Sequence, residues 1–170
     1  TGAIQVLAWS QMHGNESNAT HAMLDLLMTL AQSPALKEEF FSTIKLDFIF
    51  MLNPDASERW TRLNASDIDL NRDFHNEASK EIKFLKNIVA SKKYDYALNL
   101  HEQRTIFTTD GIHPATLTFL APSENVERTV TENRKKCMAV IANIYHHLKE
   151  MIPNQIGRYS DEFYPTSTGD

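Results

Sequence analysis

The chain has 170 residues, 42% of them hydrophobic and 23% charged, which is ordinary for a globular protein and enough for one domain with a sizeable core. A formal net charge of -5, a pI near 5.8 and the lack of any dense basic tract exclude a function built on a basic surface, so neither nucleic acid nor an anionic membrane is expected as partner. Cys137 is the only cysteine, so no intrachain disulfide is possible and any metal site must rest on histidines and carboxylates. No apolar stretch approaches the ~20 residues that span a bilayer, and the start Thr1-Gly2-Ala3 lacks the basic region and apolar core of a signal peptide. A soluble protein is expected. The compartment stays open, with the cytoplasm favoured over the periplasm or secretion, and a leader removed before this numbering would leave no trace. Asn18-Ala19-Thr20 and Asn64-Ala65-Ser66 match the glycosylation sequon but lie within or beside candidate site segments, so they are read as chance matches.

In chain order, Ala3-Ile4-Gln5-Val6-Leu7-Ala8-Trp9 is a nearly continuous apolar run that predicts a buried strand ending at the turn Gln11-Met12-His13-Gly14-Asn15-Glu16-Ser17. Ala19, Ala22, Met23, Leu26, Leu27 and Leu30 recur at helical spacing and predict an amphipathic helix over 18–33, ended by Pro34. Residues 44–52 read as a second buried strand, broken by Asn53-Pro54-Asp55. Residues 56–74 then form a long loop, and loops of that length without periodicity are usually functional or disordered. Ala78, Ile82, Leu85, Ile88 and Val89 mark a helix over 76–91, which leads into the short buried strand Tyr96-Ala97-Leu98-Asn99-Leu100. Residues 116–120 make a further strand, followed by Pro122 and a long helix whose apolar face includes Val130, Cys137, Ile141, Ile144 and Leu148. Cys137 is accordingly expected as a small core residue. His146 and His147, adjacent near the end of that helix, diverge by ~100° and read as exposed or capping side chains, not a chelate. Alternating strands and helices predict an α/β sheet with helices on its faces and a binding site at the carboxyl ends of the strands.

His13 and Glu16 follow the first strand as an HxxE pair, and His101 emerges from the strand ending at Leu100. Two histidines and one carboxylate leave a zinc ion one open position, the coordination of a catalytic site, since structural sites usually close with four protein ligands. Gly14 is expected to supply unusual backbone angles that let His13 and Glu16 converge.

HGNE over 13–16, Asn53-Pro54-Asp55 followed by Arg59, Arg62 and Asn64, then Asp69-Leu70-Asn71-Arg72-Asp73-Phe74, and finally Leu100-His101-Glu102 form an ordered series over most of the chain. This series resembles the M14 zinc carboxypeptidase family, related to the succinylglutamate desuccinylase and aspartoacylase group. The resemblance implies a mixed, mostly parallel α/β sheet with helices on both faces, incomplete at both ends, as a single catalytic domain over 1–170. It implies one zinc ion held by His13, Glu16 and His101. It further implies that Arg62 polarises the scissile carbonyl and that Asn71 and Arg72 anchor a substrate carboxylate, a task suited to arginine's planar fork. An isolated surface ion pair is the alternative reading of either arginine. Phe163-Tyr164-Pro165-Thr166-Ser167-Thr168-Gly169 resembles the family segment whose mobile tyrosine, here Tyr164, closes over the substrate. His21, His75 and His113 have no part in the pattern and are expected at the surface or in packing.

Removal of a C-terminal residue from a peptide is the implied reaction, with hydrolysis of an N-acyl amino acid as the alternative. Either substrate carries a free carboxylate. The sequence departs from the family at Ala56 and Asp67, where glycine is common, which leaves the loop shape open. Glu102 is expected to tune the pocket or its water without being a ligand. The family's general-base glutamate lies beyond the tyrosine segment, so the chain is expected to be an internal piece of a longer enzyme without that base, and a non-catalytic zinc- or peptide-binding module is the reading if the natural chain ends at Asp170. Sheet edges left open by absent strands would favour homo-oligomers.

Overall fold

Strand β1 (Ile4–Ser10) is the centre of a three-stranded parallel sheet ordered β2-β1-β3, in which β2 is Ile44–Ile49 and β3 is Tyr96–Leu100. The computed structural model describes residues 3–103, 107–125 and 127–159. Contacts divide the chain into two units, Thr1–Glu102 and Gln103–Asp170, each described by itself. Between the strands of the first unit lie α1 (Asn18–Gln32), α2 (Pro34–Thr43), α3 (Pro54–Arg59), a 3-10 turn at Leu70–Arg72 and α4 (Lys80–Ser91). All its strand pairings are parallel, and the register sets Ser10 opposite Leu100, so the two strands end side by side.

Side chains alternate across a strand, and β1 uses both faces. Leu7 and Trp9 pack with Met12, Leu52, Leu70 and, from α4, Ile82 and Leu85 in the main core. Burying each such leucine or isoleucine stabilises by about 1.5–3 kcal/mol. On the opposite face the buried Ser10 hydroxyl meets Thr20 Oγ1 of α1 at 2.7 Å, and Thr20 donates on to Gln11 Oε1 at 2.7 Å. Helices therefore cover both faces, as the alternating pattern predicts.

The differences from expectation have local causes. The sequence reading has no element over 34–43, yet α2 forms there, because Pro34 suits the first turn of a helix as well as it ends the preceding one. No α2 residue is buried, so no apolar stripe announces it. β2 ends at Ile49, three residues short of the expected boundary at 52. Met51 takes a positive φ, and the amides of Leu52 and Asn53 then bond to the carbonyls of Ser10 and Gln11, each at 3.0 Å. The expected loop over 56–74 carries α3 and the 3-10 turn. α4 begins at Lys80 instead of 76. The buried Asp73 carboxylate accepts the amides of Ala78 (2.9 Å) and Ser79 (2.8 Å) and the Ser79 hydroxyl (2.6 Å), while Ser79 Oγ accepts the Ile82 amide at 3.2 Å. That double cap fixes 76–78 outside the helix.

In the second unit β4 (Leu117–Phe119) pairs in parallel with β5 (Ile156–Arg158), a strand the sequence reading lacks, and α5 (Glu132–Leu148) is capped by Thr131. Cys137, Ile141, Ile144 and Leu148 are half-buried along α5, so Cys137 is a boundary residue, not the core residue expected; Val130 lies before the helix and is exposed. His146 and His147 are exposed in its last turn, as expected. Among the described residues no helix is long and apolar enough to cross a membrane.

Burial alone would raise the pKa of Asp73, but the hydrogen bonds from Ser79 and Ala78 outweigh it and hold it below its ordinary 3.8. A carboxylate with a depressed folded-state pKa contributes stability that is complete above the unfolded value and is lost as pH falls through the folded one. Asp73→Ala should therefore cost about 1–3 kcal/mol in urea unfolding at pH 7, with the gap to wild type closing as the pH is taken below about 4.

Candidate metal centre

The turn after β1 is held from outside by α3 and the segment that follows it. Asn53 Nδ2 donates to the Met12 carbonyl (3.1 Å), Gln11 Nε2 donates to the Gly14 carbonyl (2.9 Å) and to Ser57 Oγ (2.7 Å), and the Asn15 amide bonds to the Thr61 carbonyl (3.1 Å). Gly14 does not use the left-handed region; Gln11, at φ 49°, does. The expectation for Gly14 is corrected accordingly. A Cβ at position 14 would stand 2.0 Å from the Ala56 carbonyl carbon and 2.2 Å from the Ser57 nitrogen, so glycine is required by the approach of the α3 backbone. Tight contact, not backbone freedom, selects the residue.

That turn presents His13 and Glu16 to His101 at the end of β3. His13, 2% exposed, contacts Glu16 Oε1 through Nδ1 at 2.8 Å and Asp69 Oδ1 through Nε2 at 3.0 Å. Glu16 Oε2 contacts His101 Nδ1 at 2.7 Å, and the two imidazole centroids are 4.8 Å apart. One ligand atom from each of His13, Glu16 and His101 lies within 4.8 Å of the others. Two imidazole nitrogens and a carboxylate oxygen are a donor set that can hold a metal ion with a position left open. Asp69 suits such a site as well, because a carboxylate facing Nε2 favours the His13 tautomer that carries its proton there and leaves Nδ1 to a ligand.

The titration behaviour follows from the same contacts. Burial pushes Glu16 up, but hydrogen bonds from His101 and His13 override it and bring the carboxyl down to about 2. Burial pushes His13 down, and the bonds to Asp69 and Glu16 outweigh it, so the imidazole is raised above 6.5. Asp69 is held well below its usual range against its own burial, by His13 and then Arg62.

Around this centre, Arg62 Nε lies 2.9 Å from Asp69 Oδ2 and its Nη1 3.7 Å from Glu16 Oε1, with about half of the side chain exposed. Asn71 sits in the 3-10 turn, where its amide bonds to Asp69 Oδ1 (2.9 Å) and Asn99 Nδ2 donates to its Oδ1 (3.1 Å). That leaves the Asn71 NH2 as the group to offer a ligand. Arg72 is exposed, with Nη1 on the Asn71 carbonyl at 3.1 Å. Tyr164 lies outside the described residues. His21 and His75 are exposed, and His113 pairs with Asp110 at 2.7 Å in the second unit. Nothing local in the Asp69–Phe74 motif gives Asp69 a role; only the fold, bringing residues 13 and 69 together, shows what it holds. Asp67 takes φ 59°, a left-handed conformation that aspartate tolerates.

With the geometry established, the chain can be set beside known proteins. No protein-family model matches the sequence, and no curated protein matches it. A metallo-carboxypeptidase from Burkholderia cenocepacia, known from its crystal structure, has a similar fold, with a TM-score of 0.67 at 18% sequence identity over 95% of this chain. The matched part is 42% of that protein's length, so the chain spans less than half of it. The likeness establishes a shared α/β fold.

Gly14→Ala should shift α3 or unfold the turn, costing at least the 1–3 kcal/mol typical of overpacking, read by chemical denaturation together with loss of metal uptake. Asp69→Asn should keep the fold by circular dichroism while weakening metal affinity about 10–100-fold, measured by chelator competition.

Proposed function

We propose that residues 1–170 belong to a single catalytic domain of a zinc-dependent metallocarboxypeptidase, which hydrolyses the amide bond next to a free C-terminal carboxylate. The observation that carries this reading is the shared Glu16 carboxylate, with His13 Nδ1 at 2.8 Å on one oxygen and His101 Nδ1 at 2.7 Å on the other. His13, Glu16 and His101 would hold one zinc ion, which supplies a Lewis acid and a water of near-neutral pKa when bound.

The chain's own groups define what the substrate must carry. Arg62, tied to Asp69 and beside Glu16, keeps a guanidinium at the rim where an oxyanion would develop. Preorganised positive charge of this kind favours charge that grows in the transition state. Asn71 offers NH donors because its oxygen is already taken by Asn99, and the Arg72 guanidinium neighbours it in sequence; together they suit an acceptor-only group such as a carboxylate. Glu16 and Asp69 are committed to histidines and arginine and held strongly acidic, so neither is suited to accept the water's proton. That step needs another group. Tyr164 is proposed to close over the substrate.

The test pairs metal analysis with substrate choice. Wild type should hold about one zinc per chain, lost in His13→Ala and His101→Ala. In protein competent for turnover, a peptide with a free C-terminus should be cleaved and its C-terminal amide should not. Arg72→Ala should raise KM for the free acid at least ~10-fold with a smaller change in kcat, as loss of a charged hydrogen bond predicts. Cleavage of N-acyl amino acids in preference to peptides would replace the reading with a deacylase. Zinc binding without either hydrolysis in the complete natural chain would leave a binding module.

A further inference from the structure

The geometry points to Glu102 as a positioning residue that orients the third metal ligand by clasping the start of α1, an inference that rests on the metal site proposed above. The ligands are unequally supported. His13 is buried and has Asp69 on its second ring nitrogen, whereas the His101 side chain is 33% exposed and, among the described residues, its Nε2 has no hydrogen-bond partner. Among the described residues its only side-chain hydrogen-bond partner is Glu16, on Nδ1, so the rest of its orientation must come from its backbone.

Two bonds through Glu102 supply that constraint. Its amide donates to Glu16 Oε2 at 3.1 Å, the oxygen that also meets His101 Nδ1. Its carboxylate Oε2 accepts the Asn18 amide at 3.2 Å, across 84 residues of sequence. The acceptor is needed there because Ser17, the N-cap of α1, makes no side-chain capping bond, and the first amides of a helix require partners from outside it. A carboxylate is also the favourable charge at that end of a helix dipole. Since α1 follows directly on the HGNE turn, the clasp ties the residue after the third ligand to the helix after the first two. The Glu102 carboxylate is not one of the cluster's ligand atoms, which leaves it free for this role.

Zinc titration of the 170-residue chain against a competing chelator, with Glu102→Ala and Glu102→Gln, tests the clasp. Glu102→Ala should weaken the zinc Kd at least ~10-fold, in the range typical of outer-shell residues. Glu102→Gln keeps an oxygen acceptor for Asn18 and should stay within about threefold of wild type on the same reasoning about acceptors. Glu102→Ala binding as wild type overturns the proposal, and so does Glu102→Gln as weak as Glu102→Ala, which would assign the effect to charge. Amide hydrogen exchange in the wild type does not depend on either variant folding: a slowed Asn18 amide is expected, and exchange at the rate of a free amide overturns the clasp. Zinc lost in His13→Ala but unaffected by Glu102→Ala would remove the clasp and keep the metal site. A folded wild type that takes up no zinc would remove both.

Discussion

The carboxylate of Glu16 lies between two imidazoles, and the arrangement of the first unit serves to keep it there. His13 and His101 have ring centroids 4.8 Å apart. Two such rings would repel if both were protonated, so an anion shared between their Nδ1 atoms is what lets them coexist. The carboxyl pays for its partial burial with those two contacts, and the balance is its low pKa. A proton on each Nδ1 or one divalent cation can satisfy the same set of donor atoms, which is why an arrangement stable as a hydrogen-bonded network is also prepared for a metal.

Parallel pairing of β1 with β3 makes this possible. It brings the carboxyl ends of two strands together although about ninety residues separate them, the crevice in which α/β sheets bind ligands. The turn carrying His13 and Glu16 is then clamped by Asn53, Gln11 and the α3 backbone, so that the ligands sit on a rigid support. Gly14, buried against Ala56 and Ser57, marks how close that clamp is. Asp69 completes it from the far side by holding His13 Nε2 and Arg62 Nε at once, so one carboxylate orients a ligand and a cation.

Most of the backbone strain among the unit's described residues gathers in the same loops. Gln11, Met51, Trp60 and Asp67 all take positive φ, an uncommon conformation for residues with a Cβ, and each lies in a segment that ends at or leads into the centre. Trp60, bulky and largely exposed, is the costliest of these. Strain of this kind persists when surrounding contacts over-determine it and tends to collect at functional sites. The capped start of α4 adds one more: Glu77, between Asp73 and Ser79, takes φ 51° while those two side chains satisfy one another and the helix amides.

What the sequence determined by itself was local. Apolar runs and helical spacing identified β1, α1, β2, α4, β3, β4 and α5, and the HGNE turn with the strand before His101 named the three residues that the fold gathers. Those signals are legible because they repeat within a few residues. α2 and β5 escaped because neither has an apolar stripe of its own, and α3 because its six residues make fewer than two turns, too few for a helical pattern to repeat. Tertiary structure alone decided that Gly14 is required by the approach of α3, that Asp67 turns through a left-handed conformation, and that Asp69 orients His13. It also decided which nitrogen of each histidine faces Glu16. These depend on strand register and on contacts of residues 13, 14 and 16 with residues 56, 69 and 101, whose separations along the chain exceed anything a local pattern can encode.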